Sequence, residues 1–328
     1  MSRLSSLKEF GISFPNNHFL KLLLVISIFI FAAFFVPVIG PFFMLLFPMV
    51  LFVNGIVVGA HKTAAAFLIS FSLFLFPAIF LGMNVPFVAV FTMGIAGLFI
   101  AKCAAQNQSV EKTIIYPSVF IVAVICFFFI YEGYISSMSA WLVAKKFIGD
   151  VMAESVKFQT QLPLSTESIK IIKDSEKDMV SVITLIFPSF VVVSAASVIW
   201  MNLLLGKNYL ARAGIILPKY TALARWKAPD FIVWIFITSG ALWFVPYENM
   251  KFFGLNLFLV VCFVYLLQGL AIVSFFFQSK NVPLFFRYLF YFLIAVQYFL
   301  MIPIIASAGL IDIWIDFRKF FQKDQTTD

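Results

Sequence analysis

Charge is scarce in this sequence. Asp, Glu, Lys and Arg make up 12% of its 328 residues, against 63% hydrophobic residues. A soluble fold of this length needs a polar surface, so the composition excludes one. Histidine is almost absent too. His18 and His61 are the only two, and neither has an intramembrane acid nearby in sequence. The three cysteines, Cys103, Cys126 and Cys262, lie far apart and form no CxxC pair. That leaves metal binding and disulfides without sequence support. There is no Gly-rich phosphate loop ending in Lys-Ser/Thr, no HExxH and no GxSxG. Intramembrane hydrolysis would need paired acids, or a Ser with a base, at depth. Neither pattern occurs. The chain therefore reads as a non-enzyme with no cofactor and no metal.

What is present is apolar. There are 45 Phe residues, and the mean hydropathy is +1.04. Lipid is the solvent that tolerates this, because a spanning helix satisfies its own backbone. The expected fold is an all-α, polytopic membrane helix bundle forming one domain over residues 1–328. About nine spans are expected, within a range of eight to ten. They run near residues 19–36, 42–60, 63–81, 86–101, 114–135, 180–205, 231–245, 252–277 and 284–306. The first run follows a polar lead and is followed by Pro37 rather than a small-residue cleavage site, so no cleaved signal is expected. Residues 284–317 would measure about 50 Å as one helix, too long for one upright span and too short for two.

Two polar segments interrupt the spans. Residues 136–179 hold six Lys and six acids. Trp141, Ile148, Met152 and Val156 recur at helical spacing, and Ser165 with Glu167 resembles a helix start. Two amphipathic helices broken near Pro163 fit this pattern, as does a solvated loop with modest helix content. Residues 206–228 carry Lys207, Arg212, Lys219, Arg225 and Lys227 with no acid. Basic loops mark the cytoplasmic side, so this loop and the N-terminus are expected inside, with 136–179 outside. The net charge of +8 is assigned to such loops and to anionic lipid rather than to nucleic acid.

A few polar or small residues inside the spans are candidates for function. Asn54, Asn256, Gln268 and Gln297 could line a ligand path, or they could hydrogen-bond between helices. Asn202, Glu132 and Arg287 are further polar groups within or near spans. Gly55 and Gly59 form a GxxxG stripe that Thr63 continues, and Gly269 follows Gln268. Small residues at such positions let helices approach closely, within the bundle or against a partner. Pro48, Pro77, Pro188 and Pro303 interrupt apolar runs and predict bends.

One stretch is more specific. It runs from Leu223-Ala-Arg-Trp-Lys-Ala-Pro-Asp230 through Gly254-Leu-Asn256 and Tyr265-Leu-Leu-Gln-Gly-Leu-Ala271. It closes with Ala308-Gly-Leu-Ile-Asp-Ile-Trp-Ile-Asp-Phe-Arg318. This order resembles the YybS-like family of bacterial integral membrane proteins. That family's membrane region is similar in pattern to the S components of energy-coupling-factor vitamin transporters. The resemblance implies a solute-binding subunit in the cytoplasmic membrane, working with a separate ATPase and transmembrane coupling subunit. The other expectation is a scaffold or regulator of an envelope complex, docking a partner through Arg212, Arg225 and Lys227.

Overall fold

The computed structural model describes residues 17–36, 38–82, 86–161, 166–220 and 223–319, and these contain helices but no strand. In chain order the helices are α1 (Asn17–Phe35), α2 (Gly40–Val57), α3 (Ala60–Phe80), α4 (Phe87–Ala105), α5 (Val110–Ser136) and α6 (Ala140–Thr160). They continue with α7 (Thr166–Arg212), α8 (Ile232–Ala241), α9 (Glu248–Ser279), α10 (Leu284–Val296) and α11 (Tyr298–Ile315). Seven helical segments among the described residues are long and apolar enough to cross a membrane. Three shorter apolar helices, Phe19–Phe35, Ile232–Phe244 and Leu284–Val296, accompany them. The chain is thus an all-α polytopic membrane bundle.

Two segments differ from the sequence expectation. Residues 284–306 do not form one span: Gln297, at φ −103° and ψ 37°, separates α10 from α11. Leu300 and Met301 donate their backbone N–H groups to the Gln297 carbonyl, which starts the second helix. The second polar helix of 136–179 does not stand apart from the following span either. Residues 166–212 form one 47-residue helix, α7. Its contour is about 70 Å at 1.5 Å per residue. No Gly or Pro lies between Thr166 and Val180, so nothing interrupts the backbone ladder there. Arg212 therefore ends a helix rather than sitting in a loop. Pro163 and Ser165 lie outside the described residues. Helix α6 is capped by Ser139, whose hydroxyl accepts from the Leu142 N–H, and it buries Ala144, Ile148 and Val156 on one face.

The chain divides into two compact units. The first comprises the described parts of Met1–Ile125 and Ala195–Tyr220. Its core has α2 against α4 and an aromatic layer in which Phe47, Phe67, Phe71 and Phe91 touch ring to ring. Phe52, Ile100, Ile199 and Leu203 form the other part of this core. Close approach of α4 to α2 depends on Gly97, where a Cβ would overlap the Pro48 backbone. Tyr220 is fully buried, and its hydroxyl shares a 2.8 Å hydrogen bond with the Thr113 hydroxyl. Lys207 donates to the Tyr220 carbonyl at 3.1 Å, which ties the chain after α7 back onto that helix.

The second unit comprises the described parts of Cys126–Ser194 and Thr221–Asp328. Helix α9 is its centre, with α11 and α8 packed on it. Trp141 of α6 meets Phe252 of α9 edge to face, and Phe129 of α5 meets Phe147 and Phe187 in the same way. Many large side chains, such as Phe299, Phe244 and Trp234, remain exposed. In a bilayer these face lipid, so their exposure carries no penalty.

Candidate functional site

Proline shapes both units in the same way. In α7, Pro188 has no N–H to donate, and its ring crowds the preceding turn. The next N–H, that of Ser189, leaves the helix ladder and donates to Asn256 Oδ1 of α9 at 2.9 Å. The Leu185 carbonyl would ordinarily accept that N–H. It accepts Asn256 Nδ2 instead, at 3.0 Å. The carboxamide is thus spliced into one missing backbone bond. Its second N–H goes to the Phe252 carbonyl of its own helix at 2.9 Å.

Unit 1 repeats the arrangement. Pro48 interrupts α2, the Met49 N–H donates to Asn202 Oδ1 at 2.8 Å, and Asn202 Nδ2 donates to the Leu45 carbonyl at 2.9 Å. The same Nδ2 reaches the Val198 carbonyl at 2.7 Å, one turn back on α7. In both cases the bridged groups lie three residues before and one residue after the proline. Besides the carbonyl four residues back, which a proline cannot serve, each bend frees one N–H and one C=O, and a side-chain amide from a neighbouring helix satisfies that pair.

A second polar centre sits where α9 crosses α11. A Cβ on Gly269 would overlap the Ile305 carbonyl, and one on Gly309 would overlap the Tyr265 carbonyl. The two backbones therefore touch. One residue earlier on α9, Gln268 is fully buried; its Oε1 accepts from the Ala228 N–H and its Nε2 donates to Asp312 Oδ2, each at 3.1 Å. Asp312 also accepts from the Phe317 N–H at 2.9 Å and from Arg318 Nη1 at 3.1 Å. The Asp312 side chain is 1% exposed and that of Arg318 is 11%. Arg318 Nη2 donates to the Trp226 carbonyl at 2.7 Å. Four carboxylate and guanidinium bonds offset part of the desolvation of the pair, while Arg318 Nε is buried without a hydrogen-bond partner among the described residues. The result pins residues 226–228 and the end of α11 to α9. Asp316 follows α11 in the left-handed conformation and pairs with Lys319 at 3.0 Å. The Lys319 hydrogen bond holds the Asp316 carboxyl below the usual carboxylate range.

Between these two centres unit 2 contains a cavity of about 560 Å³, within the size range of small-molecule sites. Helices α7, α8, α9 and α11 wall it, through residues such as Phe190, Phe236, Phe258 and Ile302. Among the described residues, no charged residue and no amide lines it. Ser189 is on the wall, but its hydroxyl already donates to the Ile186 carbonyl at 2.8 Å. Tyr265 is on the wall as well. It is 1% exposed, and its hydroxyl is buried without a hydrogen-bond partner among the described residues. Leaving such a group unpaired costs about 1–3 kcal/mol.

The residues singled out from the sequence are distributed as follows. Asn54 belongs to unit 1 and donates to the Val50 carbonyl of its own helix at 2.8 Å. Asn256, Gln268 and Gln297 belong to unit 2. Asn256 and Gln268 hold the helices around the cavity without lining it, and Gln297 is exposed at the α10–α11 junction. Gly55 faces α4, where a Cβ would stand 2.6 Å from the Ala101 Cβ. Gly59 leaves the stripe: it is outside both helices at φ +104°, with open space around its Cβ position. Its requirement is the backbone turn between α2 and α3. Arg212, Arg225 and Lys227 are exposed, and Lys227 stands 3.7 Å from Asp230. Tyr265 stands in the stretch that carries the family resemblance but is not among the candidate site residues, although a phenol inside an apolar run is the signal that could have singled it out.

The family described as predicted membrane protein (DUF2232) matches residues 24–313. The match spans most of the chain and both compact units, and the chain belongs to this family. No curated protein and no solved structure matches it.

Proposed function

We propose that this DUF2232 family member is a solute-binding subunit of a membrane transporter. The YybS-like resemblance and the similarity of that family to S components of energy-coupling-factor transporters imply the same role. The chain then performs no covalent chemistry. It receives a ligand inside unit 2 and passes it on with a separate ATPase and a transmembrane coupling subunit. Its place is a bacterial cytoplasmic membrane, with the N-terminus and residues 206–228 inside and residues 136–179 outside.

The observation that supports this reading is the cavity of about 560 Å³ beside the bend at Pro188. Binding sites in transporters are built where helices are interrupted near the middle of the bilayer. Here Asn256 satisfies the interruption and leaves the space beside it to a ligand. The test is recovery of the tagged protein from its native membrane in mild detergent, followed by mass spectrometry of proteins and small molecules. An ATPase pair with a stoichiometric solute is expected. Envelope or biosynthetic proteins without a solute would overturn the reading.

That second result would favour a scaffold, for which the exposed Arg212, Arg225 and Lys227 are the supporting observation. A scaffold docking through these residues should lose its partner when all three are changed to Glu. Unchanged partner recovery, with insertion intact, removes that alternative.

A further inference from the structure

We infer that residues 224–230 are the cytoplasmic gate of the unit 2 cavity, latched shut by Arg318 and Gln268. The inference rests on the ligand-binding reading above and adds the exit route. The cavity wall on α9 runs from Phe258 to Leu266, and on α11 from Ile302 to Leu310. Gln268 and Asp312 each stand two residues further on, so both helices leave the cavity at this clasp. The clasp holds the strap 224–230 by its backbone. The Ala228 N–H donates to Gln268 Oε1 at 3.1 Å, and the Trp226 carbonyl accepts from Arg318 Nη2 at 2.7 Å. The strap continues the basic segment assigned to the cytoplasm, which sets the side to which it opens.

Packing decides which part of the frame can move. Helices α9 and α11 touch at Gly269 and Gly309, with no room for a Cβ on either. Asn256 splices α9 to α7, and α8 closes on α9 at Gly254, where a Cβ would overlap Leu242. The strap is held differently. Its described side chains include only two buried ones, both small, Ala224 and Ala228. Its two bonds to the clasp end on polar side chains, and water replaces both when the strap lifts. One defect sits in the latch itself: Arg318 Nε is buried without a hydrogen-bond partner among the described residues. Lifting the strap hydrates the guanidinium, so the closed gate is poised to open.

Cys262 is on the cavity wall, six residues before Gln268 or about 9 Å along α9, so its thiol reports opening. The experiment uses the full-length protein in membrane vesicles of either orientation and a membrane-impermeant sulfonated maleimide. Alkylation is read by peptide mass spectrometry, which resolves Cys103 and Cys126 separately. In the wild type Cys262 should react slowly from the cytoplasmic face. Arg318→Lys keeps a charge opposite Asp312 and gives up the second arm that reaches Trp226. Gln268→Leu removes the hold on Ala228. Each variant should speed Cys262 alkylation from that face about three- to tenfold, as expected for one lost hydrogen bond. Cys103 and the outer face should show no change.

Unchanged Cys262 rates in both variants would overturn the gate. So would a wild type that reacts as fast as the variants, a rise from the outer face, or Cys103 rising in step, which reports general loosening. Loss of both variants from the membrane would make the clasp a structural brace and overturn the proposal as well. If the membrane pull-down recovers an ATPase pair with a solute while Cys262 does not respond, only the gate falls and the transport reading stands.

Discussion

Replacing Asn256 with Leu tests whether the amide splice holds α7 to α9. The substitution keeps the approximate volume and removes both ends of the bridge. Ser189 N–H and Leu185 C=O then lose the partners they have at 2.9 Å and 3.0 Å. Phe252 C=O loses only an additional donor from one turn ahead on its own helix. Two buried backbone groups left unpaired cost about 2–6 kcal/mol at 1–3 kcal/mol each. Polar contacts between membrane helices average about 0.6 kcal/mol, because the unfolded chain in lipid also finds partners. Two such contacts set a floor of about 1.2 kcal/mol. The bend at Pro188 hinders the freed N–H from returning to Leu185, so the expected loss is about 2–4 kcal/mol.

The assay is reversible unfolding of the purified protein in mixed micelles with increasing dodecyl sulfate, followed by Trp fluorescence. Asn54→Leu is the control, since Asn54 bonds only within its own helix, and it should cost under about 0.5 kcal/mol. In a Pro188→Ala background the helix regains its ladder, and the cost of Asn256→Leu should fall by half or more. The double-mutant cycle therefore carries a coupling of at least about 1 kcal/mol. Equal costs for Asn256→Leu and Asn54→Leu, or no coupling to Pro188, would refute the splice.

Three further outcomes follow from the same geometry. Gly309→Ala forces a methyl group into the Tyr265 carbonyl and should abolish monodisperse elution in fluorescence-detected chromatography, whereas Gly149→Ala, with open space around it, should be neutral or stabilising by about 0.5–1 kcal/mol. Arg318→Gln strands the buried Asp312 carboxylate and should cost about 3–5 kcal/mol in the micelle unfolding assay, with much of that recovered in the Asp312→Asn, Arg318→Gln double variant. Gly59→Ala meets no steric obstacle but must hold φ +104° and ψ 143°, a region nearly confined to glycine, so a loss of about 1–3 kcal/mol is expected from backbone strain alone.

Some of this was legible in the residues and some was not, for identifiable reasons. The GxxxG stripe illustrates both. Gly55 packs against Ala101 as a small residue on a helix should, while Gly59, four residues on, is a turn. Spacing alone cannot separate the two, because φ is set where α2 ends and α3 begins. The amides show the same limit. Asn202, Asn256 and Gln268 are visible in sequence as polar groups that lipid would penalise, so a partner for each was required. That the partners of the two asparagines are the backbone flanking Pro48 and Pro188, 153 and 67 residues distant, is a matter of which helices lie side by side.

The sequence by itself determined that this chain is a helical membrane bundle and roughly where its helices run. Lipid offers no hydrogen bonds, so every long apolar run must close its own backbone locally, and local rules suffice. Its link from Gln268 to Asp312, the splices at the two prolines and the cavity beside Tyr265 were decided by tertiary structure alone. They depend on contacts between residues tens of positions apart, and no local periodicity encodes which helix face meets which.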